Sequence, residues 1–331
     1  MHPLSFWLYW PEESKAKMTC IRCQHQECKK FGTYGRKKVQ RWRCQSCSST
    51  FSAPQPKIGT HYTDIDTAEK ILTLMLEGMS IRAIERFTGV HRDTILRIMN
   101  TAAKRARLLL DSKVRNISPR YVQVDEMWTY VHTRAPHLHD SDPDEWGSTM
   151  LWLAIDSESK LLISHHIGTR SGVNAHAFIS DLRERTDGRY QITSDQYNGY
   201  LGAVREHFGR DVDFGQLHKV YGRISKDNWY GSGQVIGAIP HIKIGRPDYS
   251  RISTSHVERT NLNVRMHLRR FTRLTNAASK TLENLRDAAC LYVAFYNFVR
   301  VNMALKTTPA VAAGLTDHRW TLAEMLGATR N

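Results

Sequence analysis

Three acidic residues stand where their surroundings do not explain them. Asp125 interrupts an aromatic and β-branched run, YVQVDEMWTYVH (121–132), and Asp195 closes a second short run, YQITSD (190–195). Glu258 is the lone acid in a basic stretch, STSHVERTNLNVRMHLRRFTRL (253–274), which carries Arg259, Arg265, Arg269, Arg270 and Arg273. A carboxylate inside a central strand is costly unless a cation or hydrogen-bond donors meet it. Three acids converging from two strands and a helix can hold two Mg²⁺ ions, which prefer carboxylate and water oxygens. Taken singly, each acid has a plainer use. Asp195 can cap the helix that follows, Glu258 can pair with Arg259 or Arg265, and Asp125 can sit in a salt bridge.

A second chemistry is written in the cysteines. Five of the six fall between Cys20 and Cys47, a clustering that points to metal binding in a reducing compartment and away from a secreted disulfide framework. Two CxxC pairs, Cys20/Cys23 and Cys44/Cys47, offer four thiolates to one tetrahedral Zn²⁺, with a hairpin between them. A redox dithiol would need only one such pair. Residues 18–56 therefore read as a zinc ribbon, with Cys28 spare and Cys290 a core residue of a later helix. Lys29, Lys30, Arg36, Lys37, Lys38, Arg41 and Arg43, interleaved with Phe31, Tyr34 and Trp42, give the ribbon a basic, aromatic surface.

The charge is unevenly spread. The net charge of the chain is +15. Residues 18–116 hold 19 Lys/Arg against 8 Asp/Glu, residues 117–253 hold 15 against 17, and residues 254–331 hold 11 against 5. Clustered excesses flanking a nearly neutral middle fit a polyanionic partner, most often nucleic acid. The chain has no run of 18 apolar residues, so no transmembrane helix is expected. Residues 1–17 lack the marks of a secretory signal and read as a disordered leader, or as lying upstream of a start at Met18.

The elements that must position these residues follow from periodicity. Residues 62–112 read as three helices: Ile71, Leu74 and Met75 mark the first stripe, Ile81 and Ile84 the second, and Ile95, Ile98 and Met99 the third. Gly78 ends the first, Ser80 caps the second and Gly89 makes the turn into the third. This is a helix-turn-helix pattern whose recognition helix starts near His91, with Arg92, Thr94 and Arg97 outward. Residues 113–120 read as a linker. Beyond it the order is strand, hairpin (150–168), helix, strand, helix, strand, helix, ending in a long apolar helix at 282–300. That order specifies an α/β domain, 121–300, with a mixed sheet. A tail occupies 301–331.

The motifs VDEMW (124–128), SDQYNGY (194–200) and HVERTNLNVRMHLRRFTRLT (256–275) resemble those of IS1-family insertion-sequence transposases. The YNFVR and TPAVAAG segments (296–314) are similar to transposase C-termini more generally. The resemblance covers nearly the whole chain after Met18. It implies a ribonuclease H-like catalytic domain behind a zinc ribbon and a helix-turn-helix, with Asp125, Asp195 and Glu258 as the catalytic acids. It further implies two Mg²⁺ or Mn²⁺ ions per site, one structural Zn²⁺, and a basic partner in Arg265, seven residues beyond Glu258. Arg269 and Arg270 follow as DNA contacts. Val257, Val264, Leu268 and Phe271 form the neighbouring apolar stripe that would dock this helix on the sheet. The implied activity is cleavage and strand transfer of double-stranded DNA at the element's inverted repeats and at a target. The implied setting is the bacterial cytoplasm, in association with the nucleoid, as a dimer or larger assembly. The alternatives are a silent DNA-binding regulator and a nuclease that cuts without joining. Glu126 alternates to the opposite strand face from Asp125 and reads as a supporting acid. Asp156 reads as turn chemistry, and the His/Asp-rich loop at 137–146 as solvated.

Overall fold

The computed structural model describes residues 18–34, 39–52, 63–222, 235–272 and 275–327. The expected leader, together with Arg36, Lys37, Lys38 and Arg273, lies outside the described residues. The chain divides into two compact units, up to Pro56 and from Lys57 onward.

The first unit is a three-stranded antiparallel sheet: β1 (Cys28–Tyr34), β2 (Val39–Cys44) and β3 (Thr50–Ser52). Among its described residues, the buried cluster is Cys20, Cys44 and Phe51. So small an apolar cluster offsets little of the entropy of ordering the chain, a circumstance in which metal binding commonly supplies folding free energy.

The second unit begins with α1 (Ile65–Leu76), α2 (Ile81–Thr88) and α3 (Arg92–Lys113). The local signals act as read. The Ser80 side chain accepts from the Ala83 N–H, and Gly89 closes α2 in the left-handed region at φ 70°, which costs glycine nothing. A six-stranded mixed sheet follows, made of β4 (Tyr121–Val131), β5 (Gly147–Asp156), β6 (Leu162–Gly168), β7 (Tyr190–Ser194), β8 (Val212–Tyr221) and β9 (Val235–Ile244). Its spatial order is β6-β5-β4-β7-β8-β9. β4, β7 and β8 run parallel, while β5 opposes β4, β6 opposes β5 and β9 opposes β8. The expected order placed a single strand between the helix that follows Asp195 and the basic helix, and so missed β9, whose residues are mostly exposed and show no buried alternation. Helices α4 (Gly172–Arg185), α5 (Asn198–Phe208), α6 (Ser255–His267) and α7 (Leu282–Phe298) flank the sheet.

The stretch read as a linker, 113–120, is packed down. Val114 and Ile117 are buried, and one core runs from Ile71 and Ile98 through the sheet to Leu291. Arg185 of α4 donates to the carbonyls of Leu110 and Val114 at the end of α3 and pairs with Asp111 and Asp181. The helical segment and the sheet are thus a single unit. The tail joins it as well: Ala310, Leu322, Met325 and Leu326 are buried in the same core.

The stretch 253–274 is shorter as a helix than its composition indicated. α6 ends at His267, and Arg269–Phe271 form a separate 3₁₀ turn. Val257, Val264, Leu268 and Phe271 are all buried. The start of α6 is fixed by β4: Gln123 Oε1 accepts from the backbone N–H groups of His256 (2.8 Å) and Val257 (3.2 Å). These belong to the first turn of a helix, which has no internal acceptors for its N–H groups. At the far edge, Asn297 of α7 bonds both the N–H and the C=O of Leu162 on β6 at 2.9 Å. Gln123→Ala should destabilise the protein by about 1–3 kcal/mol, because two buried N–H groups lose their acceptor. In a thermal melt that is a fall of roughly 2–4 °C per kcal/mol for a unit of this size; an unchanged melt would mean that Gln123 does not hold the helix.

Candidate active site and metal centre

The β4–β7 register places the two aspartates beside each other. Pairing ends at Gln123 opposite Thr193, and two residues further on each strand stand Asp125 and Asp195. β4 continues along β5 there, whereas the chain after β7 turns into α5. Such a divergence at the carboxyl ends of parallel strands opens a crevice. Asp125, Glu126 and Asp195 each bring a carboxylate oxygen to within 4.8 Å of the others.

Glu126 lies on the opposite face of β4, opposite Trp152 of β5. Its carboxylate is held there by Arg170 Nε (2.7 Å) and by the Tyr200 hydroxyl (2.7 Å). The Arg170 guanidinium lies over the Tyr197 ring and reaches Asp195 Oδ2 at 3.6 Å. On the other face, Asn261 of α6 donates to Asp125 Oδ2 at 2.8 Å. Asn261 is one turn beyond Glu258 and shares its face of α6. Glu258 is bonded by Lys219 of β8 and by the Thr254 hydroxyl. Exposure of these side chains rises from 3% at Glu126 to 35% at Asp195 and 42% at Glu258, so the cluster opens to solvent along one side.

Burial, followed by the charges of Glu126, Asp195 and Glu258, pushes the Asp125 carboxyl up to about 8. Burial, then Asp195, raises Glu126 as well, against the pull of Tyr200 and Arg170. The donors are all carboxylate oxygens and carry a surplus of negative charge. That donor set fits a hard divalent cation such as Mg²⁺ or Mn²⁺.

The structure brings Asp125 and Asp195 together and sets Glu258 nearby on α6. It also adds Glu126, Arg170, Lys219 and Asn261. Asn261 was within reach of the sequence through its three-residue spacing from Glu258. Arg170 and Lys219 carry no local signal, because the loop and strand that deliver them are distant in the chain. Arg265 is partly buried on α6, two turns past Glu258, and Arg269 is exposed on the 3₁₀ turn. Arg270 does not belong among DNA contacts. Its guanidinium turns inward to Ser279 Oγ (2.7 Å) and Met99 Sδ (3.2 Å), and burial lowers it to about 10. Arg92 and Arg97 are exposed on α3, and Thr94 between them is half-buried. Asp156 accepts from Glu158 and Ser159 within its turn, as expected. Its neighbour Lys160 joins His256, Arg259 and Arg300 in lining a cavity of about 400 Å³ beside α6.

In the cysteine unit, Cys20, Cys23, Cys44 and Cys47 gather within 4.8 Å of one another. The Sγ–Sγ distances are 3.7 Å for Cys20–Cys47 and 3.5 Å for Cys23–Cys44. Zn–S bonds of about 2.3 Å in a tetrahedron place sulfurs about 3.8 Å apart, so the four residues fit zinc. Backbone N–H groups of Arg22 and Ser46 point at Cys20 and Cys44 sulfurs at 3.4 Å. Cys28 stands outside the set, 3.9 Å from the His25 carbonyl.

No family model and no curated protein matches this chain. Solved structures overlap with it in part. A piggyBac transposase synaptic complex with hairpin DNA is 12% identical over 81% of this chain and 71% of its own, with a TM-score of 0.36. A Mos1 transposase paired-end complex with the left transposon end is 16% identical over 48% of this chain and 59% of its own, at 0.20. The Mos1 strand transfer complex is 15% identical over 48% and 58%, also at 0.20. Overlaps at these scores fix neither a shared family nor a shared activity. Among the described residues, no helix is long and apolar enough to cross a membrane.

Two outcomes follow from these sites. Cys44→Ser should remove one zinc per chain in metal analysis and unfold the first unit, seen as lost amide protection in residues 18–52. A folded unit without zinc would contradict the assignment. For Asp125, a folded-state value above the ordinary one means that the acid is favoured protonated, so stability declines as pH rises from about 4 through 8. With divalent cations withheld, Asp125→Asn should therefore melt higher than the parent at pH 8, by roughly 2–4 °C for each kcal/mol recovered, and the gap should close at pH 4.

Proposed function

We propose that this chain is a DDE-type DNA transposase of a bacterial insertion sequence, with Asp125, Asp195 and Glu258 as its catalytic acids. The observation that carries the reading is the crowded, solvent-opening acid cluster at the divergence of β4 and β7. The strand order and directions support a ribonuclease H-like reading of the sheet. The motif resemblance supports the IS1 family.

Asp125 and Asp195 would hold two Mg²⁺ or Mn²⁺ ions, with Glu258 completing the shell of one once it leaves Lys219. The bound ions would activate water or a terminal 3′-hydroxyl and stabilise the leaving oxygen of an in-line displacement. The chain's own groups prepare that site. Asn261 orients Asp125, while Arg170 and Tyr200 keep Glu126 occupied. Lys219, beside Glu258, supplies a positive charge where a phosphate would approach. Arg265 and Arg269 would grip the flanking phosphates. Arg92, Thr94 and Arg97 on α3, with the zinc ribbon, would read the inverted repeats. Joining two ends requires at least a dimer.

Glu258→Gln should leave duplex binding unchanged or slightly tighter while cleavage falls at least about a hundred-fold. Glu126→Gln should keep most of the cleavage. The assay is cutting and joining of a labelled inverted-repeat end with flanking DNA in Mg²⁺, beside a gel shift on the same preparation. A Glu258→Gln protein that cuts normally would overturn the triad. Wild-type protein that cuts without joining would be a nuclease, and one that binds without cutting would be a regulator.

A further inference from the structure

We propose that His176, Glu206 and His207 form a second zinc site, separate from the cysteine cluster and from the acid cluster. His176 lies near the start of α4, and Glu206 and His207 lie in the last turn of α5. One ligand atom from each comes within 4.8 Å of the other two. His176 Nδ1 is 3.2 Å from Glu206 Oε2. The two imidazole rings meet edge to face, with centroids 5.5 Å apart, so neither ring covers the other's nitrogens by stacking.

The ion pair of His176 with Glu206 alone does not account for His207. Its Nε2 is shut off from solvent and meets no hydrogen-bond partner among the described residues, a costly state for an imidazole nitrogen. A metal ion gives that nitrogen a partner.

Two imidazoles and one carboxylate form a borderline donor set that suits Zn²⁺, with a fourth position left for water. The all-carboxylate cluster suits Mg²⁺ or Mn²⁺ instead, so the two sites would sort metals by donor type. The zinc would tie α4 to α5. Arg170 lies two residues before α4 and Asp195 three residues before α5, so the helices the zinc would join are the ones that follow these two loops.

Zinc content of the full-length protein after gel filtration tests this site. His176→Gln/His207→Gln should carry one equivalent less than the parent, while its cysteine site, followed by thiolate-to-cobalt charge-transfer bands after Co²⁺ exchange, stays filled. Glu206→Gln keeps both imidazoles and the side-chain size, and it guards against a double variant that fails to fold. It should weaken uptake at this site by about ten-fold or more against a chromogenic chelator. Equal zinc content in the parent and the double variant, or unchanged affinity in Glu206→Gln, would overturn the proposal.

Discussion

Mutual repulsion among carboxylates is the constraint on which the structure turns. Asp125, Glu126 and Asp195 are held within 4.8 Å of one another, with Glu258 close enough to add to the field at Asp125. Like charges at such separation in a poorly hydrated crevice cannot all ionise unless positive charge joins them. The protein supplies part of that charge itself, through Arg170 at Glu126 and Asp195 and through Lys219 at Glu258. Asp125 accepts from the amide of Asn261 and from the backbone N–H of Glu126, both neutral donors.

Much of the remaining fold keeps this arrangement from relaxing. β4 is a central strand, paired along its length with β5 and at its start with β7, so Asp125 cannot withdraw. Gln123 anchors the first turn of α6 to the same strand two residues earlier. That anchor sets Glu258 and Asn261 over Asp125. On the other face, Trp152 packs against Phe178 and Tyr200, and Tyr200 then reaches Glu126. The aromatic layer and the buried acid are one structure: moving the ring would strand the carboxylate.

How legible this was depended on how local each signal was. The CxxC pairs, the Ser80 and Gly89 caps and the apolar strands are determined by neighbours a few residues away, and they read directly. Asp125 and Asp195 stood out because an acid in or beside an apolar run is expensive, and the register brings them together. The partners of the acids were hidden. Arg170 and Lys219 reach the cluster only through tertiary packing. Glu126 was read as supporting from strand alternation, and it does occupy the other face, held by Arg170 and Tyr200. Arg270 misled because a run of arginines reads as a single solvated face; the end of α6 at His267 turns that one side chain inward to Met99 and Ser279. The division at 113–120 failed for a similar reason, since Val114, Ile117 and Arg185 knit α3 to the sheet domain.

The proposed binding of a cation at Asp125 is open to direct measurement. Mn²⁺ is paramagnetic, so the free ion can be counted by electron paramagnetic resonance as it is titrated into the zinc-loaded protein. The wild-type chain should take up manganese at this cluster, and Asp125→Asn/Asp195→Asn should lose that uptake while keeping its zinc and its fold. Equal manganese binding by the two proteins would mean that the acids are a structural network and that no metal site lies between β4 and β7.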